Sequence, residues 1–190
     1  MAHGCLIVGH RCGVSQCWQG RSPRTDLTKD DLSMERVSIL LVCMGNICRS
    51  PLAEGVLRAQ AAAAGLAEMF EFDSAGTLGA HAGEAPDVRA QQVAAGRGYD
   101  ISRLRARRVA LDDFRRFDWV LAMDRDNLAA LERMCPESQL PKLKLFMSFA
   151  REHAADEVPD PYYGAVAGFE RVLDMCEDAA RGILAELAAR

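Results

Sequence analysis

A cysteine and an arginine separated by five residues are the side chains of this sequence best suited to covalent chemistry on an oxyanion. Cys43 ends an apolar run that begins at Val37, and Arg49, Ser50 and Pro51 close the loop that follows. The thiolate is the nucleophilic form of cysteine, and the positive end of a helix dipole favours it. The planar fork of an arginine binds two oxygens of a phosphate. The spacing therefore predicts a thiolate aimed at a bound phosphate.

The residue types around this pair predict a strand, a tight loop and a helix in succession. Residues 37–43 are apolar and rich in β-branched side chains, and an alanine-rich helical pattern covers residues 51–64. Backbone N–H groups of such a loop converge on one point beside the helix dipole. Gly45 and Asn46 suit the left-handed backbone of a tight loop. Residues 43–50 are named the oxyanion loop, and its other predicted phosphate-binding members are Met44, Ile47, Cys48 and Ser50.

Length and composition limit the class of protein. The 190 residues fit one domain, with 49% hydrophobic and 26% charged residues. A formal net charge of −4 argues against general binding to nucleic acid or to membrane surfaces. No apolar run approaches the length of a membrane span, so we expect no membrane insertion. The 7 cysteines are odd in number and scattered, which suits a reducing cytoplasm better than a disulfide framework. They also lack zinc-ligand spacing, and we expect neither a metal nor another cofactor.

The first 33 residues differ from the remainder of the chain. They include three cysteines (Cys5, Cys12 and Cys17) and show no sustained periodicity, whereas Met34 leads directly into the first strand. We interpret residues 1–33 as a disordered extension or as the product of a misassigned start, with redox or metal sensing as the alternative. We expect residues 34–190 to form a single catalytic domain.

Strands and helices alternate along the rest of the chain. The apolar patterns predict strands at residues 37–43, 69–73, 118–123 and 142–145. They predict helices at residues 51–64, 87–96, 112–117, 126–134 and 165–189. This alternation indicates an α/β fold with a parallel sheet. Ligands of such sheets bind beyond the carboxyl ends of the strands, where the oxyanion loop follows the first strand.

A segment near the C-terminus supplies a candidate proton donor. Asp160 lies between Pro159 and Pro161, which stiffen the backbone. A carboxylic acid in such a loop protonates the leaving oxygen of a phosphate ester, and the resulting carboxylate activates the hydrolytic water. Tyr162 and Tyr163 follow, and we expect one or both to stack on an aryl substrate, with plain loop packing as the alternative.

The cysteine loop and the Asp-Pro segment resemble those of the low-molecular-weight protein tyrosine phosphatases of bacterial type. Residues 73–77 and 86–90 resemble two further family segments in the same order. The likeness covers residues 35–190. It implies a three-layer sandwich with a four-stranded parallel sheet flanked by helices, flavodoxin-like and of the phosphotyrosine phosphatase I type. It also implies hydrolysis of phosphotyrosine in proteins, and of small aryl phosphates, through a phosphocysteine intermediate.

The resemblance implies roles for individual residues. Asn46 and Ser74 match members of a hydrogen-bond network that holds the loop, and the Ser50 hydroxyl is placed to donate to the Cys43 sulfur. Cys48 matches a cysteine that forms a reversible disulfide with the nucleophile, a small core-facing filler being the alternative.

Two positions depart from the family pattern. Ala80 stands where an aromatic wall of the pocket is usual, just before His81, which we place at the pocket rim. Leu104 stands where many members carry a histidine that supports the loop. We therefore expect a wider or less selective pocket and altered support of the loop.

Two other functions use part of this residue set. A thioredoxin-coupled arsenate reductase shares the loop and the fold but needs a further redox pair, and Cys135 and Cys176 are far apart in sequence. A phosphotyrosine-binding module without catalysis needs neither Cys43 nor Asp160. The partners implied are phosphotyrosine-containing proteins, with a bacterial tyrosine kinase as one candidate, and no nucleic acid. We expect a monomer or a weak dimer.

Overall fold

The computed structural model describes residues 36–188, in which parallel strands alternate with helices. The strands are β1 (Val37–Cys43), β2 (Phe70–Gly76), β3 (Trp119–Ala122) and β4 (Leu143–Leu145). The α-helices are α1 (Arg49–Ala63), α2 (Val88–Gly96), α3 (Asp113–Arg116), α4 (Arg125–Glu132) and α5 (Val166–Ala188). Short 3₁₀ turns occupy Ala67–Met69, Glu137–Lys142 and Phe146–Phe149. The α/β prediction is confirmed, whereas the interpretation of residues 1–33 falls outside the described residues.

The order of the strands places a crevice at the end of β1. The four strands lie in the order β2-β1-β3-β4 and all pairs are parallel. The chain moves to one side of β1 to form β2 and to the other side to form β3. In a parallel sheet the loops diverge at such a reversal and leave room for a ligand at the carboxyl ends of the strands. Cys43 is the last residue of β1 and therefore lies at this crevice.

Helices cover both faces of the sheet. Ile39 and Leu41 of β1 belong to the larger core cluster, which includes residues of α1, α2 and α5. Leu40 and Val42 point the other way, into a smaller cluster with residues of α3 and α4. All four side chains are fully buried, as expected for a central parallel strand. The predicted three-layer sandwich with a four-stranded parallel sheet is confirmed. No helix within residues 36–188 is long and apolar enough to span a membrane.

β2 extends further than the sequence predicted. The small residues 74–76, which lie beyond the strand predicted at 69–73, pair with the last residues of β1, including Gly76 opposite Cys43. A Cβ atom at Gly76 would lie 2.8 Å from the carbonyl oxygens of both Met44 and Leu78. The glycine is therefore required by close packing of three backbone segments beside the oxyanion loop, not by a turn.

Candidate active site

The oxyanion loop wraps its backbone around the sulfur of Cys43. The N–H of Asn46 donates to Cys43 Sγ at 3.2 Å, and Ser50 Oγ lies 3.1 Å from the same sulfur. Asn46 has a φ of +57°, so the left-handed conformation that its residue type suggested is present. The Cys43 side chain is buried at the head of α1, which begins at Arg49. These donors and the helix dipole stabilise negative charge on the sulfur.

A buried network of side chains holds the loop from beneath. Asn46 Nδ2 donates to Ser50 Oγ and to Ser74 Oγ, each at 2.9 Å. Asn46 Oδ1 accepts from the backbone N–H of Arg107 at 2.9 Å. The Ser74 hydroxyl in turn donates to Glu54 Oε2 at 2.7 Å. The structure thus brings together the two residues that the sequence suggested, Asn46 and Ser74, and adds Glu54.

Glu54 is a buried carboxyl group whose role the sequence did not suggest. It lies on α1, 2% exposed, and its Oε1 accepts from Arg58 Nε at 2.8 Å. Burial raises the pKa of Glu54, and the hydrogen bonds from Ser74 and Arg58 offset only part of that effect. Its position among inward-facing residues of α1 was the available signal. Leu104, the departure noted in the sequence, packs half-buried against the larger core cluster.

Arg49 is oriented by two carboxylates and a carbonyl group. Its Nη1 bonds to Asp124 Oδ2 and to the carbonyl oxygen of Val158, the latter at 3.1 Å. Its Nη2 donates to Asp160 Oδ2 at 3.2 Å. The guanidinium is buried, and its Nε has no hydrogen-bond partner among residues 36–188. A buried N–H without an acceptor is costly, so an oxyanion in the cleft is its natural partner.

Sequence reasoning missed Asp124. Its Oδ1 also accepts from the N–H of Asn127 at 2.6 Å, so the same carboxylate caps α4 and holds Arg49. Asp124 lies two residues after the end of β3, and Cys43 is the last residue of β1, so both lie at the carboxyl ends of the parallel strands. That position at the carboxyl end of a strand was the signal that could have revealed it.

The segment around Asp160 is fastened to the end of β3. The N–H of Val158 donates to the carbonyl oxygen of Met123 at 2.8 Å, directly after β3. Asp160 Oδ1 accepts from the N–H of Tyr162 at 3.2 Å, and its other oxygen meets Arg49. Its side chain is 36% exposed, so it faces both the cleft and solvent. A proton donor in this position reaches a leaving group above the oxyanion loop.

Aromatic rings form the outer part of the cleft. The residues that line it are Cys43, Met44, Gly45, Ile47, Cys48, Arg49, His81, Asp160, Tyr162 and Tyr163. The two tyrosine rings meet edge to face at 5.0 Å between centroids. The guanidinium of Arg89 lies 5.7 Å from the Tyr162 ring and 4.6 Å from the Phe169 ring, and it donates to the Gly164 carbonyl at 3.1 Å. These contacts hold residues 158–163, here named the acid segment, against α2 and α5.

His81, and not Ala80, provides the opposite wall. A Cβ atom at Gly45 would lie 3.2 Å from His81 Cδ2, so the imidazole packs edge-on against the oxyanion loop. Its Nδ1 lies 2.8 Å from Glu84 Oε2. Ala80 is exposed and is not among the lining residues, which corrects the placement of this residue in the pocket. The chain passes outward at Ala80 and returns inward one residue later.

Cys48 lies in the same loop as the nucleophile. It is buried, and both cysteines are free in the structure. Burial, followed by the charges of Asp87 and Cys43, raises the pKa of Cys48 to about 12. Its thiol is therefore protonated at neutral pH. Within residues 36–188 no group of His, Cys, Asp and Glu side chains is arranged to hold a metal ion.

Comparisons with known proteins agree on one family. The family model described as low molecular weight phosphotyrosine protein phosphatase matches residues 38–190. A low molecular weight protein-tyrosine-phosphatase of Streptomyces coelicolor is 45% identical over 150 residues, 77% of this chain and 91% of the relative. The human low molecular weight phosphotyrosine protein phosphatase is 36% identical over 148 residues, 77% of this chain and 93% of the relative.

Solved structures show the same likeness in three dimensions. A protein tyrosine phosphatase of Entamoeba histolytica superposes with a TM-score of 0.79 at 40% identity, over 80% of this chain and 97% of that one. Residues 38–190, which the family model matches, contain the oxyanion loop, Asp124 and the Asp160 segment. The chain therefore belongs to the low-molecular-weight phosphotyrosine protein phosphatase family.

Proposed function

We propose that this chain hydrolyses phosphotyrosine in proteins, and small aryl phosphates, through a phosphocysteine formed on Cys43. In this proposal Arg49 binds the phosphate and Asp160 is the general acid and base. The observation that carries the proposal is the meeting of these three side chains in one cleft, although Arg49 and Asp160 stand 111 residues apart. Binding alone would need neither a nucleophile nor an acid.

The first chemical step transfers the phosphoryl group to the sulfur. The phosphate oxygens lie against the N–H groups of the oxyanion loop and against the guanidinium of Arg49. Cys43 Sγ attacks phosphorus as the bond to the aryl oxygen breaks in line. Asp160 delivers its proton to that departing oxygen. The arriving dianion competes with the Asp160 carboxylate for Arg49 Nη2, which frees the Asp160 side chain to face the departing oxygen.

The second step returns the sulfur to its starting state. Water attacks the phosphorus of the phosphocysteine, and the Asp160 carboxylate accepts the proton from that water. The bond between phosphorus and Cys43 Sγ breaks, and the sulfur leaves as a thiolate. The N–H of Asn46 and the hydroxyl of Ser50, at 3.2 Å and 3.1 Å, stabilise the charge that returns to it. Inorganic phosphate then leaves the loop.

The proposal extends to partners and setting. We expect phosphotyrosine-containing proteins as substrates, a bacterial tyrosine kinase among them, and a monomer or weak dimer of one domain spanning residues 34–190. Free cysteines at positions 43, 48, 135 and 176 favour a reducing compartment such as the cytoplasm. In that setting Cys48 would form a reversible disulfide with Cys43 under oxidation and shield the nucleophile.

Hydrolysis of p-nitrophenyl phosphate with a chelator and a reductant present tests the mechanism. The wild type should turn over, Cys43→Ser should not, and Asp160→Asn should lose roughly 100-fold in kcat. The loss with Asp160→Asn should shrink for esters with better leaving groups. A wild type that reduces arsenate with thioredoxin but releases no phosphate would favour the arsenate reductase. A protein that binds phosphotyrosine peptides without turnover would be a binding module.

A further inference from the structure

Large apolar side chains are exposed at the mouth of the cleft. In the described part of the chain the exposed large hydrophobic residues are Met44, Leu78, Val88, Leu111, Leu140, Tyr162, Tyr163 and Val166. Met44, Tyr162 and Tyr163 line the cleft itself. Leu78 adjoins Met44, because its N–H donates to the Met44 carbonyl at 2.9 Å. These four side chains are named the apolar rim.

The apolar rim lies on two sides of the opening. Met44 and the 52% exposed Leu78 stand on the side formed by the oxyanion loop and the end of β2. Tyr162 and the 93% exposed Tyr163 stand on the side of the acid segment. A phosphotyrosine side chain that reaches Cys43 must pass between them. The residues before and after that phosphotyrosine then lie against the two halves of the rim.

The charged groups nearby are largely paired with one another. His81 meets Glu84, Arg89 meets Asp87, and Arg49 meets Asp160. Arg108 is exposed and lays its aliphatic chain against Gly79, within 3.5 Å of the position of a Cβ there. Paired charges give little selection for charged neighbours of the substrate tyrosine. Beside Arg108, exposed apolar surface is grouped at the opening, and such patches mark binding sites.

We propose that the apolar rim binds apolar side chains that flank the phosphotyrosine of a protein substrate. The inference rests on the proposed phosphatase function and extends it to the kind of sequence that is preferred. Contact with leucine-like neighbours removes apolar surface from water on both partners, whereas polar neighbours would gain nothing from it. Leu78 is the rim residue outside the cleft lining, so it contributes to substrates that are proteins and not to small aryl phosphates.

The test compares two phosphopeptides that differ only beside the phosphotyrosine. One carries leucine on both sides and the other carries serine, with a glutamate version to detect selection for acidic neighbours. Phosphate release gives kcat/KM for the wild type, Leu78→Ser, Leu78→Phe and Leu140→Ser. Leu140 is an exposed leucine in the 3₁₀ turn Glu137–Lys142, which directly precedes β4. It therefore lies at the amino ends of the strands, away from the cleft at their carboxyl ends. p-Nitrophenyl phosphate, which has no flanking residues, reports the catalytic centre.

The wild type should prefer the leucine peptide by roughly tenfold, and Leu78→Ser should reduce this preference about threefold. Leu78→Phe and Leu140→Ser should keep the preference, and all variants should hydrolyse p-nitrophenyl phosphate equally. Equal kcat/KM for the peptides, or a preference for glutamate, would overturn the proposal.

Two other results would also reject it. A dimer seen by sedimentation in the wild type and lost in Leu78→Ser, without any peptide preference, would assign the rim to a second copy of the chain. A wild type inactive even on p-nitrophenyl phosphate would refute the phosphatase function itself, and the rim proposal with it.

Discussion

At the scale of single residues, the arginine that we propose to bind phosphate is held in place by groups that a substrate would partly displace. Arg49 bonds to Asp124 and Asp160 and to the Val158 carbonyl, while its Nε stays free within the described residues. Asp124 is enclosed more deeply than Asp160, with side-chain exposures of 19% and 36%. We therefore infer that Asp124 keeps its bond to Arg49 during binding and acts as a positioning residue.

Replacement of Asp124 separates its two tasks. Asparagine is as good a helix N-cap as aspartate, so Asp124→Asn should keep the cap of α4 and lose only the charge beside Arg49. We expect kcat/KM on an aryl phosphate to fall by roughly tenfold, which is about 1.4 kcal/mol, with little change in stability. Asp124→Ala should show the same kinetic loss and also lose about 1 kcal/mol of unfolding free energy. Steady-state kinetics and urea unfolding measure the two effects.

Unchanged kinetics in Asp124→Asn would show that this carboxylate serves only as a helix cap. Asn127→Ala is a matched control on α4, because its side chain is buried beside the cap but does not contact Arg49. It should affect stability without the tenfold kinetic loss.

At the scale of elements, α5 touches the segment after β4 unusually closely. A Cβ atom at Gly182 would lie 1.8 Å from the carbonyl oxygen of Phe149, in the 3₁₀ turn Phe146–Phe149. Four residues before it, the buried Asp178 accepts from the N–H groups of residues 151–153. The helix thus anchors the start of the stretch that ends at the acid segment. The contact is possible only because residue 182 has no side chain.

An alanine at this contact should separate helix and turn. Gly182→Ala should lower the unfolding free energy by about 3 kcal/mol, because a backbone carbonyl cannot yield as a flexible side chain would. Gly168→Ala is the matched control on the same helix, where a Cβ would meet Pro161 Cβ at an ordinary 3.5 Å. It should be neutral or stabilising by up to about 1 kcal/mol through helix propensity. Equal urea midpoints for the two variants would contradict the inferred close packing.

The elements themselves were largely predictable, because the longer helices bury one apolar face and β1 is a nearly continuous apolar run. The strand at 37–43 matches β1, and the helix at 165–189 contains α5 (Val166–Ala188). The end of β2 was not predictable in the same way, because small residues there indicate a loop until Gly76 is seen between the Met44 and Leu78 carbonyls. The 3₁₀ turns also lack a periodic signal, since segments of three to six residues are too short to show a clear repeat.

At the scale of the whole molecule, one buried carboxyl group links global stability to pH. The pKa of Glu54 is raised by burial, so the folded chain holds its proton more tightly than the unfolded chain does. The stability from this group is complete below its unfolded value of 4.5 and is lost as pH rises through the folded value. Each unit of the rise corresponds to about 1.4 kcal/mol. Deprotonation also places a charge beneath the network of Ser74 and Asn46.

Glu54→Gln should remove this part of the pH dependence. Urea unfolding from pH 5 to pH 8 should show the variant gaining stability relative to the wild type as pH increases. Glu68→Gln, at an exposed glutamate, is the control and should give a constant difference. Burial acts to raise the pKa of Asp178 as well, but the N–H groups of residues 151–153 and the His153 side chain lower it overall. The contribution of Asp178 to stability is lost only on acidification, so it does not change between pH 5 and pH 8. A constant difference for Glu54→Gln would contradict the assignment.

The site was predictable only where chemistry and local sequence coincide. Cys43, Arg49 and Asp160 lie in short segments whose residue types indicate a nucleophile, a phosphate ligand and a proton donor. Asp124 and Glu54 stand inside ordinary strand-end and helical sequence, and their roles depend on contacts with residues 75 and 20 positions away. Such contacts follow from the packing of α1 and β3 around β1. The correction from Ala80 to His81 has the same origin, because the path of the loop backbone decides which of two adjacent side chains faces the cleft.

The ion pairs of Arg49 with two carboxylates have a consequence for inhibitor discovery. A neutral phosphate isostere would have to compete with the Asp160 carboxylate for the guanidinium while carrying no charge of its own. A doubly negative head group binds Nη2 more strongly and can also accept from Nε, which has no hydrogen-bond partner among the described residues. Selectivity would then come from the tail attached to that head group, because His81 forms one wall of the cleft. Screening with dianionic fragments should succeed where neutral libraries fail.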